Sequence, residues 1–172
     1  MRNMPVVEGL KLLTADGYAE VEFDDTSRLR LTPSTSVRFP RLVLRSTGAQ
    51  SSAIRLDVGT IYVNLQDTKN NDFTLIVGSR KITVNRSTHL RLSFFDSAAE
   101  LAVFSGSAVV QSNAAPVVVA KKQTLVMDAL GSGPGQLENN LKEGTYDDWE
   151  ENVMKYHEHH PRRAAGGRWD YF

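Results

Sequence analysis

The sequence predicts an all-β fold with a short helix near its C-terminal end. From Gly17 to about Met127, apolar and polar residues alternate in short stretches, the period of a strand with one buried face. Turn-forming residues such as Asp24-Asp25 and Thr47-Gly48 separate nearly all of these stretches. No helical stretch lies among them, which disfavours βαβ units. We therefore expect a twisted β-solenoid-like fold or a sandwich of many short antiparallel strands, since both need this alternation.

Each predicted strand is a run of four to six residues with alternating polarity, apart from one short valine-rich run. In chain order the strands are Tyr18–Phe23, Arg28–Leu31, Arg41–Arg45, Ala53–Val58, Ile61–Leu65, Phe73–Val77, Lys81–Val84, His89–Phe94, Glu100–Phe104, Ser107–Gln111, Val117–Val119 and Thr124–Met127.

The pattern changes after Asp128, where the glycine-rich run Ala129–Gly135 indicates a linker. We therefore divide the chain into four parts: an N-terminal lead-in (1–16), a β-domain (17–128), a glycine-rich linker (129–140) and a helical, aromatic-ended tail (141–172). At 172 residues the chain is long enough for one hydrophobic core and short for two.

A helix is predicted between Thr145 and His160, because apolar residues recur there every three or four positions and acids fill the first turns. Thr145 followed by Asp148 is typical of a helix N-terminus, and Pro161 ends the helix. The aromatic residues of this segment are the candidate interaction residues, together with Val153. They are Tyr146, Trp149, Val153, Trp169, Tyr171 and Phe172.

Composition excludes several classes of function. Twenty basic and twenty acidic residues give a formal net charge of zero, so no global field attracts nucleic acid or anionic membrane. No apolar run approaches the roughly 20 residues of a membrane helix, so we expect no membrane insertion of this segment. The chain has no cysteine, which excludes disulfides and thiolate metal ligands.

The chain offers no convincing catalytic, cofactor or metal site. His157-Glu158-His159-His160 lacks the four-residue spacing of a helical chelate and is better explained as a solvated helix end. Ser105-Gly106-Ser107 is better explained as a hairpin turn than as a nucleophile elbow, and Gly131–Gly135 as a linker than as a phosphate loop. We therefore predict no enzyme activity, no cofactor and no metal.

Seven arginines fall on predicted outward strand faces, where they form a solvated surface or, less simply, a basic stripe for a polyanion. They are Arg28, Arg30, Arg38, Arg41, Arg45, Arg55 and Arg91.

Six segments of the β-region share the strand-and-turn pattern of a known family: Gly17–Phe23, Ser27–Leu31, Ser34–Val37, Arg55–Val63, Asp72–Leu75 and Leu101–Val110. On these segments the chain resembles the FecR domain, the extracytoplasmic module first associated with ferric-citrate signalling. The chain departs from the family pattern at Asp24–Ser27 and Asn85–His89, where glycine is common in the family. No N-terminal cytoplasmic helical segment or membrane span resembles the rest of a full regulator.

The resemblance implies a periplasmic or extracellular protein-interaction module of the cell envelope, in a bacterial signalling system, whose leader is not present in this chain. Full FecR-type regulators contact the signalling domain of an outer-membrane transporter. The alternative is a structural protein that self-assembles at the cell surface through its C-terminal tail, and a glycan-processing enzyme is a third, less supported possibility. The expected partner is therefore a protein or a second copy of the chain, with no nucleic acid.

Overall fold

The structure, a computed structural model, describes residues 4–113, 115–159 and 170–171. It consists of fifteen strands and one helix within these residues, which confirms the predicted all-β fold with a short C-terminal helix. The strands are β1 (Met4–Pro5), β2 (Lys11–Leu13), β3 (Ala19–Glu22), β4 (Arg28–Leu31), β5 (Ser36–Leu44), β6 (Gln50–Asn64), β7 (Asp72–Val77), β8 (Arg80–Val84), β9 (His89–Phe95), β10 (Ala98–Ser105), β11 (Ser107–Val110), β12 (Val117–Ala120), β13 (Gln123–Asp128), β14 (Gln136–Glu138) and β15 (Asp170–Tyr171). The helix α1 spans Asp147–His159.

The strands form two sheets that share the long strand β6. The helix-side sheet has the order β1-β15-β3-β4-β6-β9-β10-β13-β14. The opposite sheet has the order β2-β5-β6-β7-β8-β11-β12. All pairs are antiparallel except β6 with β7. Together the sheets form a nearly closed, barrel-like structure around one core.

Gly59 is the point at which β6 passes from one sheet to the other. Residues 50–58 pair with β5, and residues 59–64 pair with β9. Gly59 has a φ of 107°, which L side chains rarely adopt, and a Cβ there would lie 2.7 Å from the Cα of Thr35. The change of sheet therefore requires glycine at this position.

Alternation along the strands fills the core from both sheets. In β7, for example, Phe73, Leu75 and Val77 are buried and the residues between them are not. In β4, Leu29 and Leu31 point into the core, yet Arg30 between them is also buried, because α1 covers the other face of this sheet. Both faces of the helix-side sheet are therefore covered where the helix lies.

Paired strands also occur outside the predicted β-domain of residues 17–128. Strands β1 and β2 precede it, and β14 lies within the predicted linker and pairs with β13. These strands have two or three residues each, too few for period-two alternation to be recognised. The division of the chain into a lead-in, a domain, a linker and a tail stays a prediction. No helix of the described residues is both long and apolar enough to span a bilayer.

Gly59→Ala is expected to lower the free energy of unfolding by about 2–4 kcal/mol, from the positive φ and the overlap with Thr35 together. Gly48→Ala is the matched control, because Gly48 also has a positive φ but open space around it, so only the backbone cost of about 1 kcal/mol should appear. Urea unfolding followed by tryptophan fluorescence measures both. Equal losses in the two variants would contradict the steric role of Gly59.

Candidate functional site

A row of polar side chains crosses the helix-side sheet beneath α1. Glu20, Arg30, Tyr62 and Arg91 are direct cross-strand partners on the adjacent strands β3, β4, β6 and β9. Because direct partners in antiparallel strands share a face, the four side chains point to the same side. Arg30 and Arg91 are each 1% exposed, the most buried charged residues of the described chain. The site is therefore a buried ion cluster on a sheet face.

Arg30 is held between the sheet and the helix. Its Nε donates to Oε2 of Glu20 at 2.8 Å, and its Nη1 donates to Oε1 of Glu150 on α1 at 2.8 Å. Glu150 is 2% exposed, and the Nε2 atom of half-buried His89 lies 3.0 Å from the same Oε1. A buried charge is tolerable only when it is paired, so the sheet and the helix depend on each other here.

Arg91 makes the second connection to the helix. Its Nη1 lies 2.6 Å from Oδ2 and 2.7 Å from Oδ1 of Asp147, and its Nη2 donates to Glu100 and to the backbone carbonyl of Lys142. The hydroxyl of Tyr62 donates to Asp147 as well. Asp147 and Glu150 are three residues apart and so lie on one face of α1, above Arg91 and Arg30 respectively.

The same contacts define the start of the helix. Oδ2 of Asp147 accepts a hydrogen bond from the backbone N–H of Gly144 at 2.8 Å, a reach-back of three residues like that of a capping box. This bond lies one position earlier than the predicted pair of Thr145 and Asp148. A Cβ at Gly144 would lie 2.7 Å from Cζ of Arg91, so the backbone before the helix approaches the guanidinium closely.

Burial and hydrogen bonding shift the pKa values of Tyr62 and Asp147 in opposite directions. Burial, reinforced by the hydrogen bond to Asp147, raises the pKa of Tyr62 far above its ordinary value of 10.0. Burial alone would raise the pKa of Asp147, but hydrogen bonds from Arg91, Tyr62 and the Gly144 N–H outweigh it and lower that pKa below 3.8. The phenol therefore stays neutral and the carboxylate stays charged across the physiological range.

The predicted interaction residues of the helix pack against the same sheet. Trp149 stacks on Tyr18 with ring centroids 4.1 Å apart, and Tyr146 meets Tyr18 edge-on at 6.0 Å. Val153 is half-buried on α1. The structure thus brings Tyr146 and Trp149 together against Tyr18, a residue that the sequence did not single out.

The other predicted interaction residues are only partly described. The backbone of Tyr171 lies in β15, which pairs with both β1 and β3. Trp169 and Phe172 lie outside the described residues, as do His160 and the side chains of His157 and His159. Their roles stay predictions.

The expectation that all seven arginines are solvated is wrong for Arg30 and Arg91. Both lie on outward strand faces, as the alternation predicts, but the helix covers that face. Arg38, Arg41 and Arg45 are exposed on the opposite sheet. The sequence contained a signal for this pairing. The first turn of the predicted helix contains the carboxylates of Asp147 and Glu150 beside the apolar ring of Trp149, a combination that suits a sheet face with both charged and apolar residues.

A cleft of about 420 Å³ opens between α1 and the sheet, beside the ion cluster. Its sheet side consists of aromatic rings, and its helix side contains four acids, one methionine and one lysine. The lining residues are Tyr62, His89, Phe104, Asp147, Glu150, Glu151, Met154, Lys155 and Glu158.

The model of the family described as FecR protein matches residues 11–109, which is more than half of the chain. The chain belongs to the FecR family. This confirms the resemblance drawn from the sequence. The matched FecR region contains Arg30, Tyr62 and Arg91, whereas their partners Asp147 and Glu150 follow it, so the cluster joins the family region to the segment after it.

Two solved structures have a similar fold, both crystal structures of candidate anti-sigma factors from Parabacteroides distasonis. One has a TM-score of 0.62 at 10% sequence identity and aligns with 81% of this chain and 62% of its own. The other has a TM-score of 0.61 at 10% identity, over 82% and 64% of the two chains. The alignment thus spans less than two thirds of each neighbour. No curated protein matches the chain significantly.

Asp147→Asn is expected to lower the free energy of unfolding by about 2 kcal/mol at pH 7, because it leaves Arg91 with less charge compensation. The pKa of Asp147 is depressed in the folded state, so its contribution is complete above the unfolded pKa near 4 and is lost as pH falls through the folded pKa. The difference between wild type and variant should therefore shrink in acid.

Urea unfolding between about pH 2 and pH 7 measures this difference. Asp148→Asn is the control, because its exposed neighbouring carboxylate should change stability by less than about 0.5 kcal/mol at any pH. A wild-type advantage over Asp147→Asn that is the same at pH 3 and pH 7 would show that the Arg91 pair is not its source.

Proposed function

We propose that this FecR-family chain is a non-enzymatic protein-interaction module that works outside the cytoplasm, in the periplasm or at the cell surface, in a signalling system. Two findings support the proposal: the FecR match over residues 11–109, and the fold shared with the candidate anti-sigma factors over about four fifths of this chain. An anti-sigma factor acts by binding other proteins, so the likeness favours binding over catalysis.

The edges of the two sheets are the observation that points most directly to a binding mode. Within the described residues, β2, β12 and β14 each pair with one strand only. Each has a large apolar residue at its surface: Leu13 is 64% exposed, Val118 is 55% exposed and Leu137 is 42% exposed. Natural edge strands are usually protected by charge or by brevity. All three strands are short, β2 and β14 each contain one charged residue (Lys11 and Glu138), and β12 contains none. A partner strand added at such an edge would gain backbone hydrogen bonds and an apolar contact.

Photo-crosslinking in the bacterium that encodes the chain tests this function. A photoreactive phenylalanine analogue is placed at Leu13, Val118 or Leu137, and at Leu130 as the control, since Leu130 is 67% exposed but lies in no strand. We expect one envelope protein to be crosslinked from at least one edge and not from Leu130. Deletion of the gene should then change transcription of a defined set of genes, and the wild-type chain should restore it. No crosslinked protein and no transcriptional change would overturn the proposal.

Self-assembly through the C-terminal tail is the second candidate, and β15 is the observation that favours it. In the described chain β15 pairs with β1 on one side and with β3 on the other. The same strand supplied by a second copy would make identical hydrogen bonds, which is the basis of strand exchange.

A disulfide trap distinguishes self-assembly from a monomeric module. Asp170 and Glu22 are direct partners, and the chain has no cysteine of its own, so Glu22→Cys combined with Asp170→Cys introduces the two thiols under test and no others. Self-assembly by strand exchange predicts covalent dimers and higher species on oxidation, in a fraction that rises with protein concentration. A monomeric disulfide at every concentration would exclude exchange, and the two single-cysteine variants control for random collision.

A further inference from the structure

The cleft beneath the helix combines aromatic surface with excess negative charge. On its sheet side, the rings of His89 and Phe104 have centroids 4.8 Å apart, and Tyr62 lies parallel to Phe104 at 6.5 Å. On its helix side, Met154 contributes a flexible apolar surface. Aromatic faces and a thioether suit the alkyl stem of a long side chain, and a ring face also attracts a cation.

The charges of the cleft lining do not balance. Four carboxylates, those of Asp147, Glu150, Glu151 and Glu158, face one lysine, Lys155. That lysine is paired with Glu151 at 3.1 Å, and within the described part of the chain Glu158 has no cation within 4.0 Å. Arg30 and Arg91 compensate Glu150 and Asp147 from beneath the cleft. Among the residues that the structure describes, Glu158 is therefore the carboxylate of the cleft lining that has no paired cation.

Glu150 provides a second, independent sign of a ligand. Its side chain is 2% exposed, and its Oε1 is bound by Arg30 and His89. Its Oε2 is buried and has no hydrogen-bond partner among the described residues. A buried carboxylate oxygen without a donor is costly, and a donor that reaches it from the cleft through a small shift of the side chains above it would remove that cost.

We propose that this cleft binds a cationic side chain, arginine or lysine, of the protein partner. The stem lies against Phe104 and Met154, and the charged group pairs with Glu158 at the rim and approaches Glu150 within. Arginine fits best, because its guanidinium has several donors in one plane and can serve two acceptors at once. The inference rests on the proposed function, to which it adds the recognition site and the chemistry of the residue recognised.

Capped tripeptides test this site on the full chain. Acetyl-Gly-Arg-Gly-amide is titrated into the 15N-labelled protein and amide shifts are followed by NMR, with the lysine and glutamine peptides in parallel. We expect saturable shifts at Phe104, Met154 and Glu158 with a Kd on the order of 1 mM for the arginine peptide, weaker binding of lysine, and none of glutamine. Spermidine is the comparison for a free amine.

Two substitutions of equal charge change separate the cleft from general electrostatics. Glu158→Gln removes the carboxylate at the rim and should weaken binding of the arginine peptide about two- to fivefold, the range expected for an exposed ion pair. Asp148→Asn removes an exposed carboxylate of the same helix that does not line the cleft, and it should leave the Kd unchanged. Both residues are exposed, so neither variant is expected to unfold the chain.

Three results would overturn the inference: no saturable shift with the arginine peptide at 10 times the expected Kd, equal weakening by both substitutions, or tighter binding of spermidine than of the peptide. None of these results bears on the crosslinking at the sheet edges. A partner crosslinked from an edge together with an inert cleft would therefore leave the proposed function in place and remove only this site.

Discussion

The burial of two arginines between a sheet and a helix is the constraint on which the arrangement of this chain depends. Arg30 and Arg91 stand on either side of Tyr62 in the cross-strand row, and neither could remain beneath a helix without a carboxylate from it. Glu150 and Asp147 supply those carboxylates from one helical face. The row on the sheet therefore fixes where the helix lies and how it is rotated about its axis.

Such ion pairs contribute more to specificity than to net stability. Apolar residues of similar volume often stabilise a protein as well as a buried pair does, because desolvation of the charges cancels much of their attraction. An apolar helix face could, however, shift along the sheet with little change in energy. The ion pairs of the cluster form at only one position of the helix on the sheet. The stacked rings of Trp149 and Tyr18 add an apolar contact that stabilises the same position of the helix. The shape of the cleft therefore depends on where these contacts hold the helix.

Much of the fold could be predicted from the sequence, and the failures have physical causes. Period-two alternation located the longer strands, and the three- and four-residue spacing placed the helix within two residues of its observed ends. Strands β1, β2 and β14 were missed because two or three residues do not establish a period. Arg30 was assigned to solvent because alternation tells which face a residue lies on, while only tertiary structure tells what covers that face.

The site was only partly predicted because its contacting residues lie far apart in the sequence. Trp149 and Tyr146 were recognised as an apolar helix face, but their partner Tyr18 lies 128 residues earlier in the sequence than Tyr146. The ion pair of Arg30 with Glu150 spans 120 residues.

This distance in sequence has a consequence for folding. The helix-side sheet face cannot be completed until the segment around residues 147–150 has been synthesised. While the chain emerges from the ribosome, Arg30 has no helix above it, and the nascent β-structure exposes a charged, incompletely covered surface. Final closure becomes a late and concerted event, so any factor that holds back the segment around residues 147–150 would delay the maturation of the whole protein.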